Sequence, residues 1–330
     1  MNLIQLLALG ALCAASGDVR PVPREGRIAF ASKQDGTWGI HVIDPDGGRE
    51  ARLTAGPADD RFPVWSPDGR MIAFGSRRGA GWQLWVMNAD GSRPLRLAGD
   101  IVAKDPRAWS PDGTRIVFSA TRDGNPEIYT IRPDGTGLTR LTSDPADDRS
   151  PAWSPDGRTI AFASSRTGQR EVFAMPADGG APVQITSDSA IADDPAWSPD
   201  GHRLAFMSAR TGKREIDVMD RSGGHRVRLA AETTADFELP RWSADGAWIS
   251  FRSKRGDNYD LAVVRAGGGS PMRLTSAAGY DGSASWSPDG ARLAFISDRG
   301  GFDALYVVRP PDTAAKRLTA RPTLDPQWSR

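Results

Sequence analysis

Cysteine is almost missing: Cys13 is the single one in 330 residues. Everything after it is therefore built without disulfides or thiol chemistry. Histidine is scarce too, and His41, His202 and His225 stand far apart in the chain, which is no metal-ligand spacing. Neither Gly-x-Ser-x-Gly, a P-loop nor His-Glu-x-x-His occurs, so the common signatures of a serine hydrolase, an NTPase and a zinc protease are absent. An excess of charge is also lacking. With 42 basic and 41 acidic side chains the net charge is +1, which excludes a broad electrostatic footprint for nucleic acid or an anionic membrane. There is no long amphipathic helical pattern, and the apolar run from Leu3 to Leu12 is too short to span a bilayer.

That run, followed by small residues, has the form of the apolar region of a secretory signal, although no Lys or Arg precedes it. We expect residues 1–17 to be a signal peptide, 18–25 a linker and 26–330 a single folded unit, exported to the periplasm or secreted. Cys13 stands where a lipoprotein signal places its lipidated residue, but Gly10-Ala11-Leu12-Cys13 departs from the usual pattern. Membrane anchoring would require that lipidation.

What is present in quantity is Gly (36) and Pro (25), and both recur at fixed places between apolar runs. They read as punctuation of many short strands. Trp-Ser-Pro-Asp-Gly occurs at Trp65–Gly69, Trp109–Gly113, Trp153–Gly157, Trp197–Gly201 and Trp286–Gly290, and Trp242–Gly246 differs only by Ala244. The spacing is about 44 residues, in the range of repeat architectures. A short β-type run follows each copy, as in Thr159 to Phe162. One more such run, Arg27 to Phe30, lacks the Trp segment before it, and Trp328-Ser329 lacks the run after it. The two orphans complete each other.

Each unit then continues through a Ser-x-Arg-x-Gly-like turn, an apolar strand, a Gly-rich turn and an Arg-Leu-Thr strand. Four antiparallel strands per unit make one propeller blade. Pro presets φ for a tight turn, Asp bonds the local backbone, and Gly supplies the positive φ that reverses the chain. Ile-Ala-Phe strands are apolar on both faces because a mid-blade strand is covered by two neighbouring blades. The recurring Trp then acts as an interblade wedge, burying roughly 150–250 Å². The expected fold is all-β, a seven-bladed β-propeller of four-stranded antiparallel blades whose ring is closed when the C-terminal strand joins the N-terminal blade.

These residues resemble the TolB-type propeller repeat, also seen in prolyl oligopeptidase-like enzymes and tricorn-type proteases. The resemblance runs over about residues 26 to 329. TolB itself carries a further domain before a six-bladed propeller, so the seven units counted here depart from it. The resemblance implies a scaffold that presents a face or channel to a protein or peptide, and not a chemistry.

Strand alternation places the Pro-Asp-Gly turns on one face of the disc. The links from each Leu-Thr strand to the next Trp strand fall on the other, together with the Ser-x-Arg turns. The links bring Asp59, Asp60, Lys104, Asp105, Asp147, Asp148, Asp193, Asp194, Asp236, Asp281 and Asp325 toward the channel mouth. Farther out the turns bring Arg78, Arg122, Arg166, Arg210, Arg255 and Arg299. Mutual pairing would explain these residues individually; as a set, the inner acids are a candidate for a cation or a basic peptide end. Phe62, Phe237 and Tyr280 add aromatic contacts in links that vary between units, and variable loops on a rigid scaffold carry specificity.

The candidate partner-binding residues are therefore Asp60, Phe62, Lys104, Asp148, Asp193, Phe237, Tyr280 and Asp281. No catalytic residue or cofactor is expected, and the partner is a protein or peptide bound by a monomer without a transmembrane span. A small-ligand or sugar site using Ca²⁺ held by Asp148 and Asp281 is the alternative, followed by a hydrolase or lyase with an unrecognised carboxylate site. His41 falls at a strand position held elsewhere by Trp85, Tyr129, Phe173 and Tyr306, and is expected to be packed. Asp217, at the same position, is expected to be solvated at the rim or paired with an Arg.

Overall fold

The structure, a computed structural model, describes residues 26–99, 101, 108–122, 124–187 and 190–329. The expected signal, Cys13, the linker and Lys104 lie outside the described residues.

The repeat becomes seven separate four-stranded antiparallel sheets. Blade 1 combines Thr323–Trp328 from the C-terminus with Ile28–Gln34, Thr37–Ile43 and Ala51–Arg52. Blades 2 to 7 follow in chain order, starting at Asp60–Trp65, Ala108–Trp109, Asp148–Trp153, Ala192–Trp197, Asp236–Trp242 and Asp281–Trp286. The closure expected from the orphaned Trp328 is thus present, with Ile28 opposite Trp328 and Ser32 opposite Thr323. The first strands touch one another around the ring, so they line the central channel.

The Ile-Ala-Phe strands supply the core. Phe30, Phe74, Phe118, Phe162, Phe206, Phe251 and Phe295 are all buried, each at the same register between blades. Burying such a side chain contributes about 1.5–3 kcal/mol. The Trp that ends each first strand locks neighbouring blades by its indole N–H. Trp109, Trp153, Trp197, Trp242 and Trp286 donate to the carbonyls of Val64, Ala108, Ala152, Ala196 and Arg241 at 3.0–3.2 Å. Around blade 1 the series breaks: Trp65 Nε1 and Trp328 Nε1 find no acceptor among the described residues, and Trp328 is held instead through its amide, which donates to Ser285 Oγ.

The two remaining motifs have local causes. In the turn after each Trp, the Ser hydroxyl donates to the Asp two residues on, as Ser66 does to Asp68 at 2.6 Å, and Gly69 at φ 68° closes the reversal. The Thr of Arg-Leu-Thr accepts an amide from the middle of the third strand, as Thr54 accepts Ile40 N–H and Thr142 accepts Ile128 N–H, both at 2.9 Å. This stands in for a ladder bond where the fourth strand is only two residues long.

Among the described residues no helix is long and apolar enough to cross a membrane.

Candidate functional site

The first strands start at the link-bearing face, and the register shows what occupies their first position. Asp60, Asp148 and Asp281 stand opposite Ser76, Ser164 and Ser297, and all three are buried. Each pairs with the arginine of the following Ser-x-Arg turn: Arg78 with Asp60 at 3.1 Å, Arg166 with Asp148 at 2.8 Å, Arg299 with Asp281 at 3.0 Å. Burial raises the Asp148 carboxyl against the opposing pull of Ser164 and Arg166. These acids therefore hold turns to strands, which corrects their expected place as an open ring at the channel mouth. Asp148 and Asp281, the pair considered for Ca²⁺, are each committed to an arginine in different blades. Among the described residues no group of three or more His, Cys, Asp or Glu side chains could hold a metal ion.

Blades 5 and 6 lack that acid, and the reason is register. Ala192 faces Ser208 and Phe237 faces Ser253, so Asp193 and Asp236 are each one position out of step with Asp60. Their arginines find other carboxylates: Arg210 lies 3.4 Å from Asp217 and Arg255 lies 3.3 Å from Asp260. Asp217 is completely buried and also takes Arg226 at 2.7 Å, so of the two structural readings the paired one holds. Phe237 is fully buried, its ring 4.7 Å from that of Phe251. This is a correction: an aromatic in the acid's slot turns into the apolar core and is no surface anchor. His41 is packed as expected, stacked on Phe30 at 5.6 Å with Nδ1 3.0 Å from Glu50.

What faces the channel is a different set. In six of the seven first strands, all but that of blade 3, the ladder is broken by a bulge two residues in. The bulged residue takes a left-handed φ of 51–57° at Phe62, Ser150, Asp194, Leu239, Ser283 and Asp325. None is glycine, and for Phe and Leu this conformation is a strained one. Bulges re-aim side chains. These six keep solvent contact while Pro63, Pro151, Pro195, Pro240 and Pro326 beside them are buried. They form a collar just inside the link-bearing face.

Two parts of the collar stand out chemically. In the first, Arg61 donates to Asp325 at 3.1 Å, and its guanidinium lies 4.7 Å from the Phe62 ring and 5.3 Å from that of Trp38. Phe62 meets Trp82 edge-on at 5.3 Å. Trp38, Phe62 and Trp82 all keep partial exposure. In the second, Asp193 is held by Arg170, while Glu238 accepts both Arg214 and Arg252. The carboxylate of Asp194 has no hydrogen-bond or ion-pair partner among the described residues, and its pKa is pushed up to about 6 by burial and by the adjacent Asp193. The half-buried Arg241 guanidinium bonds, among the described residues, only the carbonyl of Pro240, at 2.8 Å, and desolvation lowers its pKa. Tyr280 belongs to this side: its ring lies 5.7 Å from Tyr259 and its hydroxyl 3.1 Å from Ser283 Oγ.

Of the expected set, Phe62, Asp193 and Tyr280 thus reach the collar region; Asp60, Asp148 and Asp281 are spent in buried pairs, and Phe237 is core. Trp38, Arg61, Trp82, Arg241 and Arg252 were not singled out from sequence. Aligning units by the Pro of the first strand, rather than by Asp, would have exposed Arg241 and Arg252 as departures from the repeat.

Compared with known proteins, residues 98–193 and 195–330 match the family model described as TolB beta propeller domain. No curated protein matches. Among solved structures, TolB from Acinetobacter baumannii is 21% identical with a TM-score of 0.63, covering 92% of this chain and 66% of that one. A putative TolB from Agrobacterium tumefaciens is 22% identical with a TM-score of 0.62, covering 87% and 99%. An oligogalacturonate lyase from Vibrio parahaemolyticus is 17% identical with a TM-score of 0.71, covering 87% of each chain. At these identities the solved structures establish the shared propeller fold alone.

Proposed function

The chain belongs to the TolB beta propeller family, and from that premise we propose that it is an extracytoplasmic, non-enzymatic scaffold that binds a protein or peptide on its link-bearing face. The observation that carries this reading is the Trp38, Arg61, Phe62 and Trp82 group. Aromatic and arginine side chains, packed against one another yet partly exposed, are the residue types that dominate binding energy at protein interfaces. Phe62 sits on a bulge with left-handed backbone and is packed against Arg61 and Trp82, so little ordering cost remains for binding. The apolar run from Leu3 to Leu12 and the TolB-type fold support export to the periplasm or beyond.

Crosslinking and affinity capture from the envelope fraction tests the reading. Phe62→Ala combined with Trp82→Ala should lower recovery of the partner by about tenfold or more. Arg158→Ala, exposed on the opposite face at a Pro-Asp-Gly turn, should leave it unchanged. Equal recovery with all three proteins would overturn the assigned face, and turnover on a peptide or oligosaccharide panel would overturn the non-enzymatic role.

A further inference from the structure

Blade 6 breaks the repeat at three inward positions, and all three meet at one cavity. In blades 2 to 5 the residue before the Trp and its cross-strand partner are small and apolar: Val64 with Ala73, Ala108 with Val117, Ala152 with Ala161, Ala196 with Ala205. In blade 6 the same pair is Arg241 with Ser250. Two residues along the second strand, where other blades carry Gly75, Ala163, Met207 or Ile296, blade 6 carries Arg252 opposite Glu238. Arg241, Ser250 and Arg252 line a cavity of about 60 Å³ between blades 6 and 7, which also has Ser283 and the apolar Leu239 and Leu261 in its wall.

The charges in and around this cavity do not balance. Glu238 is shared by Arg214 and Arg252, Asp193 is matched by Arg170, and among the described residues Arg241 makes no ion pair, Asp194 being the one carboxylate that acts on it electrostatically. Four guanidinium groups thus face three carboxylates. The Nε of Arg252 is buried with no hydrogen-bond acceptor, and buried donors left without acceptors are costly. Such a wall calls for an anion. A space of this size holds a few waters or one planar group, and Arg presents donors in a fork that matches a carboxylate. The apolar residues suit the alkyl stem that carries it.

We infer that the cavity between blades 6 and 7 is a carboxylate-binding subsite formed by Arg241, Arg252, Ser250 and Ser283, taking an acidic side chain or a chain-terminal carboxylate. The inference rests on the peptide-binding reading only for where the carboxylate comes from. Binding of a free carboxylate stands apart from it.

The test uses thermal unfolding of the full chain titrated with acetate at fixed ionic strength. Wild type should show a saturable rise in Tm of about 2–4 °C at tenfold excess over Kd, absent with chloride. Arg241→Ala, which installs the side chain found in blades 3, 4 and 5, should fold and lose the rise; Arg241→Gln should do the same while keeping a donor for the Pro240 carbonyl. N-acetyl-glutamate amide and N-acetyl-alanine, compared with N-acetyl-glutamine amide, distinguish a side-chain from a terminal carboxylate. An equal rise in wild type and both variants, an equal rise with chloride, or no saturable rise in wild type would overturn the subsite. Lost partner capture in the Phe62 and Trp82 variant with acetate binding intact would instead count only for the aromatic face.

Discussion

Asp194 is a half-buried carboxyl in the channel wall, beside Asp193, with no hydrogen-bond or ion-pair partner among the described residues. Its pKa is raised to about 6 from an ordinary 3.8, so between these values the folded chain holds a proton that the unfolded chain has lost. The contribution to stability is present below about pH 4 and disappears as pH rises through about 6. Asp194→Asn should therefore stabilise the protein at pH 7.5 by about 1–3 kcal/mol and flatten its stability between pH 4 and 6, as read by urea unfolding across pH. Equal pH dependence in the variant would show that Asp194 is solvated. Phe237 makes the opposite point, since its position in a link suggested a surface and its side chain is core. Phe237→Ala should cost about 3–5 kcal/mol, measurable by the same unfolding. One extra residue in the first strand of blade 6 put Asp236 in the apparent acid position, and only the pairing of Phe237 with Ser253 reveals the true register.

At the scale of the strand and turn, the first strand is tied to the Ser-x-Arg turn by buried Asp–Arg pairs. Arg166→Ala leaves Asp148 buried without its cation, a loss of about 3 kcal/mol at pH 7. Because burial already raises the Asp148 pKa, protonation should relieve part of that loss near pH 4. A destabilisation independent of pH would mean that Arg166 acts by packing alone. The indole staples act between blades, and Trp153→Ala should cost about 3–5 kcal/mol by calorimetry. Strand order, turn chemistry and the Trp wedge were legible because each depends on a few local residues repeated at one spacing. The collar was not legible. A left-handed φ at Phe62 or Leu239 follows from the bulge that fits a first strand to the narrow channel, and the side chain leaves no local signature of it.

For the whole molecule, the inner edge of Ile28–Gln34 is covered only if the ring closes, and closure rests on one strand, Thr323–Trp328, pairing with it. The seam is also where the indole staples are interrupted. Function in this account depends on that closure, because the aromatic group joins blades 1 and 2 through Arg61 and Asp325, the latter borne on the closing strand. Opening the ring would expose a sheet edge and dismantle the site together. The direct measurement is thermal unfolding and solution size of the chain ended at Arg321. The account predicts a large fall in Tm with association or aggregation, while a monomer melting at the wild-type temperature would contradict the closed seven-bladed ring on which everything else is built.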